Sequence, residues 1–247
     1  MIKVILSGAC GRMGAQVTAL AESRNVKIVA GVDVNLRTDM PYPVYPDFSM
    51  VKEQADAIID FSRPEGLHAL LAYAREKKLP VVLAATGYNE NDLAAIKDAA
   101  NEIAVFRSAN MSLGVYVLKT LCARAAAMLP EYEIEIIEKH HNQKLDAPSG
   151  TAVMLYDAVA NENSEAVYGR HGRTQKRQPH EIGMHAIRGG SVAGEHEVGF
   201  YGPGEYITLS HLAQDRSIFA NGALRAALFI AGQAPGEYDM GALVEGL

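Results

Sequence analysis

The spacing of apolar and polar positions changes character part-way along the chain. "IKVILSG" is a β-branched run closed by glycine, after which "CGRMGAQVTALAES" places Met13, Val17 and Leu20 at helical intervals. The runs "VKIVAGVDV", "ADAIIDFS", "PVVLAATG" and "IAVFRSA" read as buried strands, and "PEGLHALLAYAREKKL" and "NENDLAAIKDAANE" between them read as helices. Strands alternating with helices predict right-handed βαβ units and a parallel sheet covered on both faces through residue 110 or so.

The pattern then shifts. "SANMSLGVYVLKTLCARAAAMLP" is an amphipathic helix stopped by Pro130, and "EYEIEIIEKHH" sets Tyr132, Ile134 and Ile136 against Glu131, Glu133 and Glu135, a strand with one solvated face. "SGTAVMLYDAVANE" is helical, and "RHGRTQKRQPH" is a basic connector with little secondary-structure signal. The glycine-rich stretch from Ile182 to Asp215 predicts antiparallel strands and hairpins, and "FANGALRAALFIAGQAPGEYDMGAL" a closing helix and tail. The fold class expected is therefore α/β: an N-terminal Rossmann-type, doubly wound parallel sheet, followed by an α+β domain on an open mixed sheet.

Composition agrees with two folded domains. The 247 residues are 49% hydrophobic and 21% charged, with no low-complexity tract. A formal charge of -6 argues against nucleic acid or an anionic membrane as partner, leaving small molecules or other subunits. "MIKVILSGACG" does not read as a signal peptide, and no apolar segment approaches a membrane span, so the cytoplasm is the expected compartment. Cys10 and Cys122 are too few for a disulfide framework or a cysteine-based zinc site.

Two stretches carry candidate chemistry. In "LSGACGRMG", Gly8, Gly11 and Gly14 follow a first strand and open a helix, and Asp33 ends the next strand about 20 residues after Gly14. That context suits a dinucleotide: Gly11 lets backbone approach a pyrophosphate at the helix N-terminus, and Asp33 meets the ribose hydroxyls. A tight turn without a ligand is the competing interpretation. The charge of Asp33 opposes a 2′-phosphate, Val34 offers no compensating cation, and Arg37 does so only if the loop folds back; NADH is expected to serve at least as well as NADPH.

The second stretch is "EKHHNQKLDAPSG", Glu138 to Gly150. Adjacent histidines on an extended chain point to opposite sides, which disfavours a metal, and none is expected. His140, His141 and Lys144 at a strand end offer a titratable proton and a cation. Asp146 or Ser149 caps the following helix, whose first turn presents the N–H groups of Gly150 and Thr151, a corner suited to a carboxylate. A solvated polar loop is the alternative. His185, His196 and His211 are expected to be hydrogen-bonded structural groups.

The strings "GACGRMG", "IIDFSRPEG", "EIIEKHHNQKLDAPSGTA", "GEHEVGFYGPGE" and "DRSIFANGA" together resemble the 4-hydroxy-tetrahydrodipicolinate reductase family of bacterial lysine biosynthesis, nearly end to end. The resemblance implies NADH- or NADPH-dependent reduction of a cyclic dicarboxylic imine. It implies His140 as acid/base residue and Lys144 as proton donor, with His141, Lys144, Ser149, Gly150, Thr151 and Arg216 on the substrate carboxylates. On the cofactor side it implies Gly8, Ala9, Cys10, Gly11, Arg12, Met13, Asp33, Arg63, Ala84, Ala85, Thr86, Ser108, Ala109, Asn110 and Met111. It also implies a dinucleotide-binding domain at 1–112 plus 217–247, a substrate and oligomerisation domain at 113–216, and a homotetramer assembled through the second sheet. Two positions depart from the usual family pattern, "AATG" for G-T-T-G and Met111 for the more frequent Phe. Two rival functions are an amino-acid dehydrogenase of similar architecture, disfavoured by the HH-x-x-K-x-DAPSG string, and a nicotinamide-sensing protein without turnover, disfavoured by His140 and Lys144.

Overall fold

β1 (Ile2–Ser7) is buried from Val4 onward, and at Gly8 the backbone turns through φ +74 into α1 (Arg12–Leu20). A side chain at Gly8 would strike the Phe61 backbone at 2.7 Å, and one at Gly14 would strike the Ala9 carbonyl at 2.3 Å. Glycine is thus required by both the left-handed turn and the close packing of helix on strand. The computed structural model describes residues 1–172 and 176–246, and these form two compact units, Met1–Ser112 with Arg216–Leu247, and Leu113–Asp215.

In the first unit the chain continues through β2 (Val26–Val32), β3 (Val44–Tyr45), β4 (Ala57–Asp60), α2 (Leu67–Lys77), β5 (Val81–Leu83), α3 (Glu90–Ala99) and β6 (Ala104–Arg107). α3 begins with a reciprocal capping box, Asn89 and Asp92 each accepting the other's backbone N–H at 3.0 Å. The sheet order is β12-β6-β5-β4-β1-β2-β3, all parallel, with β12 taken from the C-terminal tail. The chain leaves β1 toward β2 and returns on the other side to β4, so the topological switch lies between β1 and β4. Ile5, Ile58, Leu70, Val81, Ile96 and Val105 form one buried cluster.

The second unit follows α4 (Leu113–Met128) with β7 (Glu133–His140), α5 (Gly150–Val159), β8 (Glu165–Tyr168), β9 (Glu181–Arg188), β10 (Gly194–Gly202) and β11 (Glu205–Ala213). The sheet is mixed, in order β11-β10-β7-β9-β8. β10 runs antiparallel to β11 and β7, as expected for the glycine-rich region; β9 instead runs parallel to β7 and β8. The reason is connectivity: α5 and β8 separate β7 from β9, allowing the crossover a parallel pair requires. Leu118, Cys122, Ile134, Ile136, Leu155, Val198 and Phe200 form this unit's core, built from α4, α5 and one face of the sheet. Of the basic connector Arg170–His180, residues 173–175 lie outside the described residues.

The closing elements α6 (Ser217–Ile230), β12 (Gly236–Tyr238) and α7 (Met240–Glu245) belong to the first unit. Gly222 of α6 lies against the Met111 carbonyl so closely that a Cβ would fall 1.6 Å from it. The division falls one residue earlier than expected, since Arg216 stands at the N-cap of α6 and its carbonyl accepts from Phe219 N–H at 3.2 Å. Among the described residues no helix is long and apolar enough to cross a membrane.

Candidate active site

Alternation along β7 sends Ile134, Ile136, Glu138 and His140 to the covered face of the second sheet. An apolar face that ends in an acid and an imidazole must supply them with partners. The Glu138 carboxylate, 1% exposed, accepts from Arg188 Nη2 at 2.6 Å and Nη1 at 2.8 Å, and from Ser149 N–H at 3.1 Å. His140 Nδ1 lies 2.5 Å from the same carboxylate. Burial alone raises the Glu138 pKa, but Arg188 and His140 outweigh it and hold the group below the usual glutamate value. Burial is also the largest influence on His140 and lowers its pKa; Glu138 opposes this, and Lys144 and Arg188 reinforce it.

The loop from His141 to Ser149 is fastened at several points. His141 N–H donates to the Val192 carbonyl at 2.8 Å, and Lys144 N–H to the His141 carbonyl at 3.2 Å. Lys144 Nζ pairs with Asp146 at 2.8 Å, and Arg188 Nη2 bonds the Asp146 carbonyl at 2.6 Å. Of the two expected caps, Ser149 is the one used: its Oγ accepts from Ala152 N–H at 3.2 Å and sits 2.9 Å from His196 Nε2. Ser149 is buried, its polar atoms engaged by Glu138, His196 and Ala152, whereas Gly150 is exposed at the first turn of α5. The dipole of a helix makes its N-terminus favourable to an anion. A buried acid–imidazole pair, a lysine and a helix N-terminus thus share one corner.

The first unit gathers a second set of residues at the carboxyl ends of its parallel strands. Gly8 to Met13 follow β1, Asp33 follows β2, Arg63 follows β4, Ala84 to Thr86 follow β5, and Ser108 to Met111 follow β6. Asp33 accepts from the N–H groups of Cys10 at 2.9 Å and Asn35 at 2.8 Å, while Arg37 is paired with Asp39 at 2.5 Å. α1 has no side-chain cap, and Gly11 before it is exposed. This uncapped N-terminus fits the pyrophosphate of a dinucleotide. A pocket of about 240 Å³ is lined by Met13, Phe61, Ala84, Ala109, Asn110, Met111 and Phe219. It brings five of the sequence-expected cofactor residues together and adds two phenylalanines not singled out in sequence.

Comparison with known proteins addresses both halves. Residues 2–111 match the family model described as dihydrodipicolinate reductase, N-terminus, and residues 114–244 match the corresponding C-terminus. The chain belongs to the dihydrodipicolinate reductase family. It is 51% identical over 249 aligned positions to the 4-hydroxy-tetrahydrodipicolinate reductase of Caldanaerobacter subterraneus subsp. tengcongensis, covering 99% of each chain. The relative of the same name from Staphylococcus aureus is 44% identical, covering 96% of this chain and 98% of that one. A solved structure of dipicolinate-bound dihydrodipicolinate reductase from Paenisporosarcina sp. TG-14 superposes with a TM-score of 0.80 over 97% of both chains, at 23% identity, a likeness of fold. Membership makes the chain an oxidoreductase that binds NAD(P)H. It leaves no need for the amino-acid dehydrogenase or sensor readings.

Of the sequence-expected substrate residues, His140, His141, Lys144, Ser149, Gly150 and Thr151 lie in one continuous corner of the second unit, whereas Arg216 belongs to the first. Three residues of the corner escaped assignment. Arg188 lies 50 residues from Glu138; His196 is the hydrogen-bonded group expected, but its partner, Ser149 Oγ at 2.9 Å, ties it to this corner. Glu138 could have been found: it shares β7's inward face with Ile134 and Ile136, and a buried acid needs a cation or donors.

Proposed function

We infer a division of labour in the family's reaction, the NAD(P)H-dependent reduction of (2S,4S)-4-hydroxy-2,3,4,5-tetrahydrodipicolinate to 2,3,4,5-tetrahydrodipicolinate in the diaminopimelate route to lysine. The nicotinamide supplies hydride. In the first unit the Gly8–Met13 turn and the N-terminus of α1 hold the pyrophosphate, and Asp33 receives the ribose hydroxyls. Arg63, the Ala84–Ala85–Thr86 segment and the Ser108–Met111 segment border the nicotinamide side. NADH serves at least as well as NADPH, because Asp33 carries a charge and Arg37 is engaged by Asp39.

The second unit handles the dicarboxylate. His141, Lys144, Ser149, Gly150 and Thr151, together with Arg216, hold its carboxylates, and the N-terminus of α5 favours their charge. His140 is the acid/base residue: burial keeps its imidazole neutral in the resting protein, and an arriving dianion favours its protonated form. Lys144 Nζ, oriented by Asp146, donates the proton that accompanies reduction. Placing donor and acid against a fixed substrate contributes much of the rate, with general acid catalysis adding about a hundred- to ten-thousandfold. The observation that carries this reading is the grouping of a buried His140–Glu138 pair, Lys144 and an α5 N-terminus in one corner.

The test is NAD(P)H oxidation coupled to the synthase that generates the unstable substrate. Turnover that requires this substrate and falls about a hundredfold or more in His140→Gln, with cofactor binding retained, supports the assignment. Full turnover in His140→Gln would remove His140 from the chemistry. The chain acts in the cytoplasm as a homotetramer joined through the open face of the second sheet, where Ile187, Tyr206 and Leu212 are exposed and Tyr201 stacks on Tyr206 at 5.6 Å.

A further inference from the structure

We propose that Glu138, clamped by Arg188, is the positioning residue of His140, fixing its imidazole with the proton on Nδ1 and leaving Nε2 as the atom that exchanges protons. The inference rests on the reading of His140 as the acid/base residue.

The Glu138 carboxylate is surrounded by donors: two N–H groups of Arg188, the backbone N–H of Ser149, and His140 at 2.5 Å. An ionised carboxylate has no proton to give, so the hydrogen bond to His140 Nδ1 runs from the imidazole to the acid. A neutral ring is then held with Nε2 bare. Gly194 stands on that side, where a Cβ would come within 3.0 Å of Nε2, so glycine keeps this edge of the ring uncrowded. Arg188 extends the arrangement, since the guanidinium that clamps Glu138 also bonds the Asp146 carbonyl, next to Lys144 in the loop. One buried carboxylate thereby sets the register of His140 against the segment that carries Lys144.

The first test needs no variant other than His140→Gln, used to assign the signal. Long-range ¹H–¹⁵N correlation of the ¹⁵N-labelled full chain at pH 8 is expected to show the Nδ1–H tautomer at His140; an Nε2–H tautomer would overturn the proposal. In steady-state kinetics, Glu138→Gln is expected to lower kcat by about a hundredfold, with KM for NADH unchanged. Adding it to His140→Gln is expected to cost nothing further, because the two residues act as one unit. A Glu138→Gln enzyme within twofold of wild-type kcat, or losses that multiply in the double variant, would refute the positioning role. If His140→Gln is inactive while Glu138→Gln is normal, the positioning role alone falls. If His140→Gln turns over normally, the acid/base assignment falls and the positioning role with it.

Discussion

The Asp33 carboxylate accepts the backbone N–H of Cys10 at 2.9 Å, tying the acid at the end of β2 to the glycine turn at the end of β1. With the Asn35 N–H on its other oxygen, the carboxylate is held from two sides. Arg37, the cation nearest in sequence, is held by Asp39. Asp33→Ala is therefore expected to move the ratio of kcat/KM for NADPH over NADH upward by about tenfold or more, by removing a charge that repels a 2′-phosphate. Asp39→Ala, which releases Arg37, is expected to move it the same way by less. Paired kinetics with the two cofactors decide the matter, and a wild-type enzyme strongly preferring NADPH would contradict the role given to Asp33.

Gly222 governs how α6 meets the rest of the first unit. A methyl group there would overlap the Met111 carbonyl, which is backbone and has little room to move. Gly222→Ala is expected to destabilise the protein by roughly 1–3 kcal/mol, the usual cost of overpacking. Gly232→Ala is the matched control, since nothing lies within 4 Å of the added carbon. Urea-unfolding midpoints compare the two, and an unshifted midpoint for Gly222→Ala would mean that α6 retreats without cost.

What could be read from the chain follows from how local each signal is. The alternation of β7 and the Gly8–Gly11–Gly14 turn were legible because a strand's two faces and a glycine's freedom are decided within a few residues. β12 was not: three residues gain their place only by pairing with β6. The parallel pairing of β9 with β7 was likewise hidden, since it depends on β8 intervening, and "EAVY" is too short for a period to emerge. The corner divides the same way. His140, Lys144 and the cap at Ser149 stand in one string, while Arg188 and His196 reach it from β9 and β10; nothing around Arg188 marks it, and the string "GEHEVGFYGPGE" that holds His196 does not tie it to Ser149.

Lys144 and Arg216 are expected to fail differently. Lys144→Ala removes the amine paired with Asp146; if that amine donates the proton as proposed, kcat falls about a hundredfold while NADH binding, measured by fluorescence titration, is retained. Asp146→Asn keeps the amine but loosens its anchor, and a smaller fall in kcat is expected. Arg216→Ala should act on KM for the dicarboxylate, by about tenfold or more for a lost charged hydrogen bond, with kcat less affected. An unchanged KM in Arg216→Ala would place that residue away from substrate, and near-normal kcat in Lys144→Ala would remove Lys144 from proton transfer.

His196 connects the corner to acid stability. It is 5% exposed, its ring centroid is 5.1 Å from that of His140, and its Nε2 lies 2.9 Å from Ser149 Oγ. Burial, reinforced by His140, His211 and Lys144 and opposed by Glu138, pushes its pKa down to about 4. The unfolded chain takes up a proton at this residue near pH 6.5, whereas the folded chain does so only near pH 4. Between those values the unfolded state binds more protons, so stability is fully present above pH 6.5 and is lost as pH falls toward 4. From pH 7 to pH 5 the loss through this residue is about 2 kcal/mol. His140 and His211, also lowered by burial, add to the loss in the same direction. Glu138, whose pKa is lowered, contributes its own loss only at more acid pH. Urea unfolding of wild type and His196→Gln at pH 7 and pH 5 isolates the residue: wild type is expected to lose about 2 kcal/mol more than the variant. Equal losses in the two proteins would mean that His196 is not held neutral by the fold.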